Sequence, residues 1–280
     1  MRVPLEHKKG YDVKSLWDNA AAAVLVEHYR ALGVSQDVAL RVYTSRLLGG
    51  DPRLVLHGGG NTSVKTTLAD LLGDDQEVLC VKGSGWDLVD IEPAGLPALR
   101  LNPLRKLISL DRLSDEDMVN AQRGELLDST SPNPSVETLL HAFLPAKFVD
   151  HTHSTAVLAI TDQPNGEDIC AEIYGQRAPV VPYVMPGFAL AKLASELHSQ
   201  NARSEGLILL KHGIFSFGSD ARESYERMID LVTLAELHLE CADRKHFVPA
   251  TLPANCAQAE IIAPIIRGAV AEILDPDEGT

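Results

Sequence analysis

The segment 150-DHTHSTAVLAI-160 sets two histidines one residue apart, with an apolar run almost immediately after them. Side chains on a strand alternate between faces, so His151 and His153 point the same way and Thr152 the other. Two imidazoles a few ångströms apart on one face are a ready pair of divalent-metal ligands. The alternative is a pair of hydrogen-bonded histidines at the edge of a core. A metal needs a third ligand and an open position. His212 is the best candidate, because it ends the apolar run 207-LILLK-211 and precedes Gly213. His57, next to a triple glycine, is less convincing. His28, His141, His198, His238 and His246 fall in helical patterns and read as surface or packing residues.

Such a metal would need a carboxylate and an anion site beside it. Glu137 lies in 133-NPSVETLLHAFL-144, one turn inside a helix with Asn133 as N-cap and Pro134 in the first turn. A glutamate on a helix is often only a solvated charge, but this one lies just upstream of the histidine strand. Two loops could hold an anion, 58-GGGNTS-63 and 83-GSG-85. Glycines allow close backbone approach, and exposed N–H groups with Asn, Thr and Ser side chains can cradle a phosphate. Neither loop matches a Walker or dinucleotide-binding pattern, and either could be a plain turn.

The elements that must position these residues follow from pattern. Residues 15–32 and the stretch from Ser35 to Leu48 read as helices, stopped by Gly33 and by Gly49-Gly50. Strands are expected at 54–57, 61–67, 78–82, 147–153 and 180–184, with two more meeting near Lys211-His212-Gly213. Helices are expected within 97–128, at 133–144, between Gly187 and Gln200 and over 220–244, the last with Asp220 and Glu223 as a capping box. Strands alternate with helices, yet some are joined by short connections that permit antiparallel pairs. The pattern predicts one helix-flanked mixed sheet over residues 1–250, then a tail or appended helix over 251–280.

The chain has 280 residues and a formal net charge of −14, with pI ≈ 5.1. A broad nucleic-acid surface is excluded, because phosphate backbones demand basic clusters. Cys80, Cys170, Cys241 and Cys256 are widely spaced without a C-x-x-C, which suits reduced thiols. No apolar run approaches the ~18 residues of a membrane span, and the N-terminus has no apolar signal core. A soluble, cytoplasmic protein is expected.

Five motifs in order make the pattern specific: G-G-N-T-S at 59–63, K-G-S-G at 82–85, P-S-V-E at 134–137, H-T-H-S at 151–154 and L-K-H-G at 210–213. From about residue 38 to 245 the chain resembles the class II aldolase/adducin family, which includes fuculose- and rhamnulose-phosphate aldolases and ribulose-phosphate epimerases. The resemblance implies a three-layer α/β/α fold with a mixed, mostly antiparallel central sheet. It implies a divalent metal, usually Zn2+, on His151, His153 and His212, with Glu137 as catalytic acid/base. It implies substrate or phosphate binding by Gly60, Asn61 and Ser63, by Ser84 and Gly85, and by Ser135. A homotetramer acting on a sugar or sugar phosphate is implied in the same way.

Val136 stands where relatives often carry a second serine, Gly58 is an extra glycine, and no tyrosine acid can be placed by motif. The layout also resembles the N-terminal aldolase half of bifunctional aldolase/short-chain dehydrogenase proteins. No Rossmann glycine motif occurs in this sequence, so a free-standing relative and a portion of a longer chain both stay open.

The chemistry expected is retro-aldol cleavage of a ketose. The metal would stabilise the enediolate left as the C–C bond breaks, and Glu137 would shuttle the proton. A sugar-phosphate epimerase or another metal enzyme on the same fold is the alternative. An amidohydrolase fails on the mid-chain position of D-x-H-x-H, and an adducin-like interaction module would be expected to lack the metal histidines, all three of which are present.

Overall fold

The structure is a computed structural model, described here for residues 13–241 and 258–274. Its strands are β1 (Asn61–Ala69), β2 (Asp75–Val81), β3 (Ala98–Arg100), β4 (Phe148–Thr152), β5 (Val180–Val181), β6 (Gly206–Leu209) and β7 (Gly213–Gly218). They form one seven-stranded sheet in the order β3-β2-β1-β4-β7-β6-β5. All neighbours pair antiparallel except β5 and β6, which are parallel.

The helices are α1 (Asn19–Ala31), α2 (Gln36–Gly49), α3 (Leu101–Lys106), α4 (Asp115–Gly124), α5 (Thr138–Phe143), α6 (Thr155–Thr161), α7 (Gly166–Tyr174), α8 (Phe188–Gln200) and α9 (Ala221–Cys241). Side chains of α1, α2, α6, α7 and α9 pack with Val64, Phe148 and Ile214 from one face of the sheet. Those of α3, α4, α5 and α8 pack with Leu79, Val149 and Phe215 from the other. This is the expected three-layer α/β/α arrangement, and the period-2 alternation of the strands divides the two cores. A further helix, α10 (Ala259–Leu274), belongs to a separate compact unit and is apolar along much of its exposed surface, at Ile261, Ile265 and Ile266 among others. None of the helices among the described residues is long and apolar enough to cross a membrane.

Local chemistry explains most element starts. Ser35 caps α2 by accepting from Val38 N–H, and Asp220 accepts from Glu223 N–H before α9. The Glu223 carboxylate reaches back to Ser219 N–H, one residue earlier than a standard capping box requires.

Two expectations are corrected. Residues 54–57 form no strand: Leu54 and Val55 are buried, but their N–H groups bond back to the carbonyl of Asp51 in local turns. The helix expected over 133–144 begins only at Thr138. The backbone before it pairs across the sheet end instead, Pro134 bridging Gly83 and Ser135 N–H donating to Lys82 O. Cys80 and Cys170 are free and buried and Cys241 is free and exposed; Cys256 and His246 lie outside the described residues.

Candidate active site

β4 carries the site at its C-terminal end. Its alternation sends Asp150 and Thr152 toward α9, where Ser224 Oγ donates to Asp150 Oδ2 and Thr152 Oγ1 lies 3.3 Å from Met228 Sδ. His151 faces the opposite way and stacks on Phe215, with centroids 4.2 Å apart. The fully buried Arg41 of α2 pairs with Asp150 and donates to the carbonyls of Ser63 and Val149 at 3.3 and 3.5 Å. One guanidinium therefore ties α2, β1 and β4 together behind the histidines.

His153 lies just past the end of β4 yet remains on the His151 side, with Nε2 2.9 Å from His151 Nε2. The third ring comes from the turn joining β6 to β7. Lys211 sits there at φ 57, a left-handed conformation unusual for a side-chain-bearing residue, and the tight turn presents His212 to the other two rings. Gly213 follows because nothing larger fits. A Cβ there would stand 2.4 Å from Thr152 O and 3.1 Å from ring atoms of both His151 and His153.

The donor atoms of His151, His153 and His212 lie within 4.8 Å of one another. The Nδ1–H of His151 donates to Ile214 O at 3.0 Å, which leaves Nε2 as a lone pair facing inward. Burial pushes the His151 pKa well below its ordinary value. It also lowers His153, and it brings His212 down to about 4 against the opposing charge of Glu137. The rings are therefore neutral near pH 7, and the approaches of Glu137 to His151 (3.4 Å) and His212 (3.3 Å) are not ion pairs. His212 Nδ1 and Glu137 Oε1 are buried without hydrogen-bond partners. Three clustered imidazoles and an unpartnered carboxylate oxygen beside them fit a divalent cation. His151 is buried, His212 partly so and His153 exposed, so the donor set is open on one side.

Glu137 stands at the N-cap of α5 rather than one turn inside it. Asn61, the first residue of β1, donates through Nδ2 to Glu137 Oε2 at 2.6 Å and to Ser135 Oγ at 3.2 Å. Gly60 makes this approach possible: it adopts φ 66, and a Cβ there would lie 2.7 Å from His151 O. The two glycine loops meet at the same place, since Lys82 Nζ donates to Gly58 O at 3.0 Å and Ser84 N–H to Asn133 O at 2.8 Å. Ser84 and Gly85 are exposed at the rim. Ser63 is drawn inward, fully buried with its hydroxyl 2.7 Å from His141 Nδ1.

Sequence reasoning missed three participants. Arg41 carries no local signal that separates it from the other arginine of α2, Arg46. Asp150 was read only as part of a motif. His141 was read as packing, although its position one turn after Glu137 puts both on one helical face.

The sheet order, the two helical layers and a three-histidine cluster at a strand end define an α/β fold that gathers three imidazoles beside a carboxylate. The family model for the class II aldolase and adducin N-terminal domain matches residues 39–239, and the chain belongs to that family. The solved N-terminal class II aldolase domain of a conserved protein from Thermoplasma acidophilum is similar, at 43% identity and a TM-score of 0.69 over 72% of this chain and 93% of that one. An uncharacterized oxidoreductase, YuxG, of Bacillus subtilis (strain 168) is 40% identical over 268 residues, which are 93% of this chain and 37% of the relative. The chain thus spans little more than a third of that protein. The 3-oxo-tetronate 4-phosphate decarboxylase of Haemophilus influenzae is 29% identical over 171 residues, 54% of this chain and 80% of that one.

Proposed function

We propose that this chain is a metal-dependent lyase of the class II aldolase type that breaks a C–C bond of a phosphorylated ketose. The observation that carries the reading is the state of Glu137: Oε2 is held by Asn61, while Oε1 is unpartnered, 3.3 Å from His212. A divalent cation on His151, His153 and His212, zinc by the all-imidazole donor set, would supply a Lewis acid for the substrate carbonyl and for the enediolate charge left by bond breaking. Glu137 Oε1 carries the proton to and from the substrate carbon, a task that needs a base held in place but not hydrogen-bonded away.

The family likeness supports Gly60, Asn61, Ser84, Gly85 and Ser135 as the residues that hold the phosphate, which would fix the far end of the substrate. Ser63, although part of the same motif, acts from behind the site through His141. The family likeness supports a homotetramer, checked by light scattering, and action in the cytoplasm.

The similarity to a decarboxylase favours a second reading, loss of CO2 from a 3-oxo acid phosphate, because both reactions leave negative charge on the same kind of carbon. One panel separates the two. The protein is assayed with ketose 1-phosphates, the matching free ketoses and 3-oxo acid phosphates, with metal content measured on each sample. Aldehyde release restricted to phosphorylated ketoses is expected. CO2 release alone would select the decarboxylase, and conversion to an epimer without cleavage would select an epimerase.

A further inference from the structure

His141 lies at the heart of the helical layer, one turn after Glu137, and is fully buried with its ring edge-on to Phe215 at 5.4 Å between centroids. Both of its nitrogens are engaged. Nδ1 is 2.7 Å from Ser63 Oγ, and Nε2 contacts Asn61 Oδ1. The same Asn61 side chain reaches Glu137 Oε2 and Ser135 Oγ through its NH2 group.

Chemistry fixes every direction in this chain of contacts. A carboxylate only accepts, so the NH2 end of Asn61 faces Glu137. Its carbonyl end then faces His141, and a carbonyl oxygen demands a donor, so Nε2 of His141 carries the proton. Full burial, with cationic neighbours Lys65 and Arg41, keeps the ring neutral. Nδ1 is therefore the acceptor, and Ser63 Oγ–H donates to it. The carboxylate and the imidazole N–H hold the Asn61 amide from its two ends, and without the N–H the carbonyl end loses its donor and the amide is held from the carboxylate side alone.

We propose that His141 is a positioning residue for the acid/base: through Asn61 it fixes Glu137 Oε2 and leaves Oε1 as the atom that moves the proton. The proposal rests on the reading of Glu137 as acid/base, but its hydrogen-bond content can be measured without any substrate. Ser63, Asn61 and His141 lie on β1 and α5, so the relay joins the sheet to the catalytic helix and transmits the register of one to the other. Removing the donor should loosen the carboxylate, and displacements of this kind cost up to about 100-fold in rate.

The first test uses wild-type protein labelled with [15N]histidine. The His141 ring should give one tautomer, protonated at Nε2 and unprotonated at Nδ1, and the Nε2 proton should exchange faster in Asn61→Ala. An Nδ1-protonated ring would overturn the proposal.

The second test follows exchange of the C–H protons of dihydroxyacetone phosphate with deuterated solvent. This compound is the fragment shared by ketose 1-phosphates cleaved between C3 and C4. His141→Met, which lacks a donor, should slow exchange about 10- to 100-fold, with KM and metal content held within about twofold. His141→Gln, which keeps an N–H, should recover most of the rate. The double variant Asn61→Ala/His141→Met should be no slower than Asn61→Ala alone, because both changes break one relay. Equal losses in the Met and Gln variants, or fully additive losses in the double variant, would overturn the proposal. An Nε2-protonated ring in a wild-type protein that exchanges no proton would support the relay and sink the proposed reaction instead.

Discussion

Glu137 and His212 approach each other to 3.3 Å, carboxylate Oε1 to ring Nε2, across the β6–β7 turn. Both residues keep a buried polar atom without a hydrogen-bond partner, Oε1 on one and Nδ1 on the other. Buried polar atoms are normally satisfied, and leaving one unsatisfied costs about 1–3 kcal/mol. Of the two, Glu137 Oε1 is the atom that faces His212 Nε2 and the histidine cluster.

The three imidazoles should hold about one divalent ion per chain. Elemental analysis of the protein carrying both His151→Ala and His153→Ala should find the metal gone, because two of three donors are removed while Arg41 and Asp150 still hold β4. Full occupancy in that variant would place the metal elsewhere.

The Arg41–Asp150 pair sits in the core at the base of the ligand strand, both side chains fully buried. Removing one partner leaves the other charged and without compensation, which costs about 3–5 kcal/mol. Urea unfolding of Arg41→Met should show a loss of that size. A loss below about 1 kcal/mol would mean that water or a rearranged neighbour takes over the charge.

Gly213 should tolerate no side chain. A methyl group would meet Thr152 O and the rings of His151 and His153 at once. Gly213→Ala should cost roughly 1–3 kcal/mol of stability and weaken metal binding by about 10-fold or more. Chelator competition and thermal melting read the two effects separately, and unchanged metal affinity would show that the rings shift without penalty.

Lys65 supplies a pH signature remote from the metal. It is buried, donates to Ala146 O at 2.7 Å, and burial reinforced by Arg105 lowers its pKa from 10.5 to about 7. Between about pH 7 and 10.5 the unfolded chain binds a proton that the folded chain has released, so this residue makes stability rise with pH over that window. Below about pH 7 the full cost of burying the charge is present. Lys65→Met should therefore be stabilising, most at low pH, with the advantage shrinking as pH rises toward 10.5. Denaturant melts of both proteins across that range measure the gap, and a constant gap would contradict the shift.

Much of the site was legible in the sequence because its signals are local. His-x-His on a strand, a histidine at the next strand end, and glycines flanking Asn61 and Ser84 are periodicities and turn chemistries that a short window contains. The bridge at Gly83–Pro134 was not legible, because Asn133-Pro134 is also a sound helix start and only the partner segment decides between the two. The apolar run at 54–57 misled for a related reason: burial without a neighbouring strand yields turns, and neighbours are set by topology. The relay from Ser63 to Glu137 joins residues 76 or more positions apart, Ser63 to His141 and Asn61 to Glu137. No local pattern encodes such contacts, so His141 reads as packing until the fold brings β1 against α5.

Under the proposed function, Glu137 moves a proton at a substrate carbon beside the three histidines. The most direct measurement is solvent-deuterium exchange into dihydroxyacetone phosphate by wild type and by Glu137→Gln, matched for metal content. The amide is nearly isosteric with the carboxylate but cannot accept and return a proton. Wild type should exchange, and the variant should lose about 100- to 10,000-fold with fold and metal retained. Exchange within a few-fold of wild type in the metal-loaded variant would contradict it and assign the proton transfer to another group.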